Sequence, residues 1–465
     1  MKENNKVIHP YIPNSVSSIR EQMLLEIGAK TIEELYEDIP ERLRTKGRMS
    51  LPDPFISEYA LKMHVESILK KNSTCLEYLS FLGAGCYQHY VPAICDEVNQ
   101  RGEFLTAYDG GVYTDHGKHQ AFFEYLSMMA ELLCMDVVSL PTYDGYQATA
   151  TALRMASRIT GRNEIIIPKS VSKELVLKLG DYCKPAISIK FIEFDLKTGQ
   201  FNIDKLRQVV NSNTAAVYYE NPSYLGFIET QGEEISEIVH KQGALNVVRV
   251  DPSSLGVITP PAEYGADIVC GDIQSLGIHM NYGGGMAGFI ATHEDEKFIA
   301  EYPSRLFGIA PTSVEGEYGF GDVSFERTHF AVREEGKEWT GTGAALWGIT
   351  AGVYLALMGP QGMVDLGKGI MSNSYYAMKK INQVKGIKTP IFQAPHFSEF
   401  VVNFNDTGMA VDEVNDALLE HKVFGGINLT DDFPEFGHSA LYCVTEIHTK
   451  EDIDRLVTAL KEVTN

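Results

Sequence analysis

Short apolar runs alternate with helix-like segments from about residue 136 to residue 292. The runs that predict strands are DVVSL, EIIIP, AISIKFIEF, AAVYYE, NVVRVD, ADIVCGD and MAGFIAT, and the segments that predict helices are YQATATALRMASRI, NIDKLRQVV and EEISEIVHKQG. Strands that alternate with helices over this length form a mostly parallel sheet covered on both faces. Ligands in such sheets bind beyond the carboxyl ends of the strands, so we expect a site there.

Further helices and strands are predicted on both sides of this region. Ser15 is positioned to cap a helix over VSSIREQMLLEIGA, with Gly28 as its stop, and a second short helix is predicted over TIEELYEDI. Beyond about residue 345, a long helix over ALWGITAGVYLALMG precedes the strand-like runs EFVVNF and ALYCVTE and a helix over KEDIDRLVTALKEV. We therefore predict an amino-terminal helical arm over 1–80, a large α/β domain over 81–345 and a smaller α+β domain over 346–465.

Composition and charge restrict the classes of partner. The chain has 465 residues, of which 44% are hydrophobic, enough to bury a large core. Its formal net charge of -22 repels phosphate groups, so we expect neither nucleic acid nor an anionic membrane as a partner. No segment approaches the roughly 18 unbroken apolar residues of a membrane span. The 7 cysteines are scattered, without a CxxC pair, which is typical of the reducing cytoplasm.

Two polar turns follow predicted strands of this sheet. Tyr143, Asp144 and Gly145 begin a helix whose free N–H groups suit a phosphate, although a tight turn into a closely packed helix is the alternative. Asp251 ends NVVRVD, where a carboxylate suits a ring nitrogen, a cation or a simple turn. The polar turn at Ser275 comes 275 − 251 = 24 residues later, one strand with its crossover, so we expect both at the same edge of the sheet.

Three other segments combine side chains that suit a binding site. FLGAGCYQHYVPA suits acid–base chemistry, and a surface turn or subunit contact is the alternative. TAYDGGVYTDHGKHQ lacks the ligand spacing of a metal site, so we expect no metal there. The glycine-rich stretch over 305–348 has basic and hydroxyl side chains that suit a phosphate, and a mobile interface loop is the alternative. The candidate residues in these segments are Tyr87, His89, Tyr108, Arg333, Lys337, Thr340 and Thr342.

Nine stretches, in order along the chain, resemble one family: the alpha-type subunit of the glycine cleavage system P-protein, also called glycine dehydrogenase (decarboxylating) subunit 1. They are YIPNSVSSIREQMLLEIGAKTIEELYEDIPERLR, FLGAGCYQHYVPA, EFLTAY, TYDG, NPSYLGFIE, VDPSSLGVITPPAEYGADIVCGDIQSLG, VYLALMGPQGM, FSEFVV and LYCVTEIHTKEDID. The resemblance implies a fold-type I pyridoxal-phosphate-dependent transferase, similar to aspartate aminotransferase. It also implies an α2β2 heterotetramer with a homologous second subunit that carries the catalytic lysine.

The resemblance further implies the reaction and the role of this chain. In that family the pair decarboxylates glycine and passes the aminomethyl group to the lipoyl arm of the carrier H-protein. Gln274 and Ser275 stand where the second subunit has histidine and lysine, and neither an amide nor a hydroxyl forms a Schiff base with pyridoxal phosphate. Asp251 stands where the carboxylate for the ring nitrogen belongs, and Lys297 lies too far along the chain to replace the lysine. We therefore expect the cofactor to be held covalently by the partner alone, with the candidate residues of this chain lining the cleft.

Three segments depart from the pattern of the family. They are DGGVYTDHG over 109–117, Ser172 in SVSKE and KEWTGTG over 337–343, all expected near a subunit cleft. These departures leave two alternatives open. One alternative is a paralogous subunit that acts on another small amine or amino acid. The other is a non-catalytic structural or regulatory homologue.

Overall fold

The computed structural model describes residues 11–47, 50–104, 116–341 and 343–464. The chain separates into two compact units, Met1–Ser73 and Thr74–Asn465. The predicted division at residues 80 and 345 stays a prediction. Of the described helices, none is long and apolar enough to cross a membrane.

The helices account for most of the regular structure. They are α1 Ser17–Glu26, α2 Glu58–Leu69, α3 Ala93–Asn99, α4 His116–Leu133, α5 Gly145–Thr160, α6 Lys173–Cys183, α7 Ile203–Val209, α8 Gly232–Lys241, α9 Glu296–Ile299, α10 His329–Val332, α11 Ala345–Ile381, α12 Val411–Glu420 and α13 Lys450–Val463. The strands are β1 Leu79–Ser80, β2 Val137–Val138, β3 Glu164–Pro168, β4 Ser188–Ile192, β5 Thr214–Glu220, β6 Leu245–Val250, β7 Ile268–Asp272, β8 Gly288–Thr292, β9 Phe307–Pro311, β10 Tyr318–Asp322, β11 Glu399–Asn403, β12 Val423–Phe424, β13 Ile427–Asn428 and β14 Ser439–Cys443.

A seven-stranded sheet forms the centre of the second unit, in the order β2-β8-β7-β6-β5-β3-β4. β8 runs antiparallel to both of its neighbours, and the other pairs are parallel. Every residue of β3, β5, β7 and β8 is buried, as expected for strands covered on both faces. The predicted mostly parallel sheet is confirmed, and the carboxyl ends of β5, β6 and β7 lie side by side.

The helix that follows the TYDG turn packs closely on this sheet. Ala148, Ala152 and Ala156 lie four residues apart on α5 and are fully buried, because their small side chains let the helix backbone approach the strands. This packing fixes the amino-terminal end of α5 beside the carboxyl end of β7 and the amino end of β8.

A smaller antiparallel sheet, in the order β11-β14-β13, lies near the carboxyl terminus. The long helix α11 precedes it and extends well past the predicted segment, continuing through a kink. The kink lies at Gly359, whose φ of 60° is disfavoured for other residues, and Pro360 supplies no N–H there.

Several predicted boundaries differ from the structure. α1 begins after Val16, which has no side-chain cap, so the predicted Ser15 cap is wrong. The predicted helix over TIEELYEDI is only a short 3-10 turn, Glu33–Tyr36. The stretch over 305–348 contains short helices and a β9–β10 hairpin, in which Phe307–Pro311 pairs antiparallel with Tyr318–Asp322, residue for residue.

Candidate functional site

Three charged side chains meet at the carboxyl ends of β5, β6 and β7. Glu220 lies directly opposite Arg249 in the ladder between β5 and β6. Arg249 Nη1 donates to Glu220 Oε1 at 3.0 Å, and Arg249 Nη2 donates to Asp272 Oδ2 at 3.1 Å. Burial raises the pKa of Asp272 to about 6, although Arg249 opposes the shift. We call Glu220, Arg249 and Asp272 the ion triad, and it ties three strand ends together.

Asp251, two residues beyond Arg249, accepts three hydrogen bonds from donors of this chain. Its Oδ1 accepts from the Ser253 N–H at 3.0 Å and from the Ser275 hydroxyl at 2.8 Å. Its Oδ2 accepts from the Ser253 hydroxyl at 2.8 Å. The predicted meeting of Asp251 and Ser275 at one edge of the sheet therefore takes place, and the carboxylate is engaged by hydroxyl groups.

Gln274 holds the loop that carries Tyr87. Its Oε1 accepts from the Tyr87 N–H at 3.0 Å, and its Nε2 donates to the Tyr87 carbonyl at 2.9 Å. The same Nε2 donates to the Ile278 carbonyl at 3.1 Å. This paired contact resembles that of two β-strands, and with the contact to Ile278 it uses both N–H groups of the buried amide.

Tyr87 in turn contacts a buried acid. Its hydroxyl donates to Glu399 Oε2 at 3.0 Å, and the Ala84 N–H donates to Glu399 Oε1 at 2.6 Å. Burial raises the pKa of Glu399 to about 8, because no cation lies against it among the described residues. Glu399 is therefore protonated at neutral pH, and the pair carries no charge.

His89 lies on the same loop and pairs with an acid from the end of the chain. Its Nδ1 lies 2.8 Å from Glu446 Oε2, and Glu446 Oε1 accepts from the Tyr90 N–H at 2.8 Å. Burial lowers the pKa of His89, but the hydrogen bond and charge of Glu446 outweigh it and the net shift is upward. The hydrogen bond to Glu446 thus fixes the imidazole and the loop that carries it.

The amino-terminal end of α5 is closed by carboxylates. Asp144 Oδ1 caps the helix by accepting from the Gln147 N–H at 2.7 Å. A Cβ atom placed on Gly145 would lie 3.0 Å from the Asp272 Cβ and 3.1 Å from Arg249 Nη2, so the ion triad packs directly on this turn. Tyr143 is half exposed beside it. A phosphate at this helix end would replace or oppose two acids.

The cavity at these strand ends is too small for pyridoxal phosphate. Its volume is about 40 Å³, whereas pockets for small molecules measure about 300 to 1,000 Å³. The ion triad fills the space next to α5, and the Ser275 hydroxyl donates to Asp251. The residues of this chain therefore do not fit the cofactor, and the residues that line the cavity are Ala84, Gly85, Tyr87, Tyr146, Glu220, Pro222, Ser223, Tyr224, Arg249, Val250, Asp251 and Asp272.

The candidates over 333–343 lie apart from the ion triad. Lys337 pairs with Glu301, which also pairs with Arg158. Arg158 lies about 20 Å along α5 from its first residue, at 1.5 Å per residue. Arg333 is exposed on the chain surface. Lys337 thus lies at the opposite end of α5 from the phosphate position that we predicted.

The remaining candidates are placed as follows. Thr340 is buried, and its N–H donates to the Pro303 carbonyl at 2.7 Å. Tyr108 and Thr342 lie outside the described residues, as does most of the 109–117 departure. Ser172, another departure, caps α6 by accepting from the Leu175 N–H at 3.1 Å. Within the described ranges, no group of three or more His, Cys, Asp or Glu side chains is arranged to hold a metal ion.

Four residues of the site were missed by reasoning from the sequence: Glu220, Arg249, Asp272 and Glu399. Each lies inside or at the end of an apolar run. A charge within such a run is the signal that could have found them, because a buried charge needs a partner. Its partner, however, cannot be read from the run itself.

Comparisons with known proteins identify the family. The family model of the glycine cleavage system P-protein matches residues 9–460. A probable glycine dehydrogenase (decarboxylating) subunit 1 from Staphylothermus marinus is 39% identical over 98% of this chain and 98% of its own length. A solved glycine decarboxylase (P-protein) of the glycine cleavage system, in inhibitor-bound form, is 31% identical with a TM-score of 0.83, covering 98% of this chain and 100% of that chain.

A more distant solved structure shows the fold alone. A sphingosine-1-phosphate lyase from Burkholderia pseudomallei is 14% identical with a TM-score of 0.64, covering 91% of this chain and 94% of that chain. Both solved structures have the fold-type I architecture of pyridoxal-phosphate enzymes, so the predicted fold class is confirmed. With a family model over nearly its full length and a relative 39% identical, the chain belongs to the glycine cleavage system P-protein family.

Proposed function

We propose that this chain is the lysine-free subunit of a two-subunit, pyridoxal-phosphate-dependent glycine decarboxylase. The observation that carries the proposal is the hydrogen bond from the Ser275 hydroxyl to Asp251, at the position where the family resemblance implies the lysine of the second subunit. The closed cavity supports it further, because a chain that carries no cofactor of its own needs a partner to catalyse the reaction. The numbered subunit name of the relative from Staphylothermus marinus supports a separate second subunit.

The proposed reaction joins glycine to the lipoyl arm of the H-protein. The bond between the α-carbon and the carboxylate of glycine breaks, and CO₂ leaves. The electron pair of that bond reduces the lipoyl disulfide, so that one sulfur receives the aminomethyl group and the other receives a proton. Pyridoxal phosphate, bound to the lysine of the second subunit, supplies the electron sink for the loss of CO₂.

This chain contributes structure and a cleft wall to the proposed α2β2 complex. The ion triad holds the ends of β5, β6 and β7 in place, and Gln274 holds the loop of Tyr87 and His89. We also place the complex in the cytoplasm, since all 7 cysteines are free thiols, as in reducing compartments.

Isotope exchange tests the reaction. The chain and its lysine-bearing homologue are prepared separately and together, and the exchange of labelled bicarbonate into the carboxyl group of glycine is measured with lipoylated carrier present. We expect exchange from the pair and background exchange from either chain alone. Alanine and serine serve as comparison substrates under the same conditions.

Two results would contradict the proposal. Exchange by this chain alone would show that it carries its own catalytic site. A pair that assembles but responds to another small amino acid and not to glycine would instead favour the paralogous subunit.

A further inference from the structure

A second, larger cavity lies at the carboxyl ends of β3 and β4, and no residue of the ion triad lines it. Its volume is about 680 Å³, within the range of about 300 to 1,000 Å³ for small-molecule pockets. Lys169 follows the last residue of β3, Glu193 follows the last residue of β4, and their side chains form an ion pair in the cavity wall. Because β3 and β4 are parallel neighbours, the cavity lies at the edge of the sheet where such folds bind ligands.

Exposed apolar side chains line this cavity. Leu196 is 63% exposed and Phe191 is 42% exposed, although both belong to a concave surface. Phe194 and Phe433 also line it, and they are members of a buried apolar cluster. Apolar side chains that are exposed inside a cavity favour a ligand with an apolar body, since such a ligand removes them from water.

Charged side chains of both signs accompany these apolar groups. Lys173, the first residue of α6, pairs with Asp432 at 3.3 Å between Nζ and Oδ1. Lys205 of α7 lines the cavity, as do Asp431 and Glu435 from the segment between β13 and β14. Among the described residues, none forms an ion pair with Lys205, Asp431 or Glu435. One cation and two carboxylates of the cavity are therefore available to a ligand.

The basic side of the cavity comes from an unusual part of the chain. Residues 169–205 hold 7 lysines and 5 acidic residues, whereas the whole chain has a net charge of -22. Within this stretch, Ser172 is one of the departures from the family pattern, and it caps the helix that begins with Lys173. A local excess of lysine in an acidic chain attracts an anionic group to this position.

We propose that this cavity binds a free α-amino acid with an aromatic or branched aliphatic side chain, at a site separate from that of catalysis. The α-carboxylate of the ligand contacts Lys205, and its α-ammonium group contacts Asp431 and Glu435. The side chain of the ligand covers Phe191 and Leu196. The inference goes beyond the proposed function, because this site needs neither the second subunit nor the cofactor.

Calorimetric titration of the full-length chain with single compounds tests the class of ligand. We expect L-phenylalanine and L-leucine to bind with dissociation constants on the order of 1 mM or below. 3-Phenylpropionate lacks the ammonium group and 2-phenylethylamine lacks the carboxylate, so each should bind at least about tenfold more weakly than phenylalanine. Glycine has both charges but no apolar body, and we expect it to bind at least about tenfold more weakly as well. Equal binding of phenylalanine and any of these three compounds, or no binding of phenylalanine and leucine, would overturn the inference.

Single substitutions locate the site on the chain. Lys205→Met and Glu435→Gln each remove one unpaired charge at an exposed position, so both variants should fold normally. We expect each to weaken the binding of phenylalanine by about threefold or more. Lys184→Met is the matched control, because Lys184 is an exposed lysine of the same stretch that does not line the cavity, and its affinity should equal that of wild type. Unchanged affinity in both cavity variants would place the ligand elsewhere and refute the assignment.

Discussion

Arg249 is the cation on which two buried acids depend. Its guanidinium contacts Glu220 and Asp272 and lies over the Tyr146 ring, with its Cζ 5.1 Å from the ring centroid. An ion triad of this kind is stable only while each charge has its partner. The residue therefore stabilises the strand ends in the space that a cofactor would fill.

Replacing Arg249 with methionine leaves both acids buried without a cation. We expect the free energy of unfolding to fall by about 3 to 5 kcal/mol, the range for a broken buried pair. Denaturant unfolding measures this change. Arg207→Met is the control, because Arg207 pairs with Glu234 at the surface and its loss should cost at most about 1 kcal/mol. Equal losses in the two variants would show that the ion triad has no special role.

Glu399 makes the stability of the chain depend on pH. Its pKa rises from 4.5 to about 8 on folding, so the folded state holds the proton more tightly. The resulting stabilisation is complete below pH 4.5 and is lost as the pH rises through 8. Each unit of pKa difference corresponds to about 1.4 kcal/mol.

We expect Glu399→Gln to flatten this dependence. Between about pH 5 and pH 8, the unfolding free energy of wild type should fall more steeply than that of the variant. Urea unfolding at several pH values measures both slopes. Glu237→Gln, at an exposed position of α8, should retain the wild-type slope. A Glu399→Gln slope equal to that of wild type would mean that Glu399 does not bind this proton.

At the scale of the element, the sheet was predictable and its charged edge was not. The runs EIIIP, AAVYYE and ADIVCGD each form a buried strand. Short, nearly continuous apolar runs of this kind are typical of strands covered on both faces. The pairing of Asp251 with Ser275 followed from a spacing of one strand and its crossover. These features are local, or repeat along the chain.

The ion triad depends instead on which strands become neighbours. Glu220, Arg249 and Asp272 are separated by 29 and 23 residues, and they meet only because β5, β6 and β7 are adjacent and in register. The contact of Glu399 with Tyr87 also depends on the tertiary fold, because Glu399 belongs to β11 of the smaller sheet. Sequence reasoning predicted that the lysine was missing, but only the structure reveals what fills its place.

The variant Ser275→Lys places a lysine just beyond the end of β7. It tests whether the site excludes the cofactor even when an amine is present. In Ser275→Lys we expect the new amine to pair with Asp251 and to form no adduct with pyridoxal phosphate, because about 40 Å³ leaves no room for the cofactor. Borohydride reduction followed by peptide mass spectrometry reports on position 275. The wild-type chain, treated in the same way, accounts for labelling of surface lysines. A reduced adduct at position 275 in most molecules would contradict the closed site.

At the scale of the whole molecule, the two units of the chain differ in burial and in net charge. The body has the fold of a cofactor enzyme but closes its own strand ends with the ion triad, Asp251 and Ser275. The first 73 residues carry exposed apolar faces and no net charge. In the proposed complex the reactive amine belongs to the second subunit, so this chain does not catalyse the reaction alone. The complex is therefore the smallest unit expected to turn over glycine.

The location of the cofactor in the assembled pair tests this division of labour most directly. The co-purified complex is saturated with pyridoxal phosphate and reduced with borohydride. The mass of each chain is then measured by mass spectrometry. We predict one reduced cofactor on the second subunit, at its lysine, and none above background on this chain. A reduced cofactor on this chain, or its absence from both, would contradict the account.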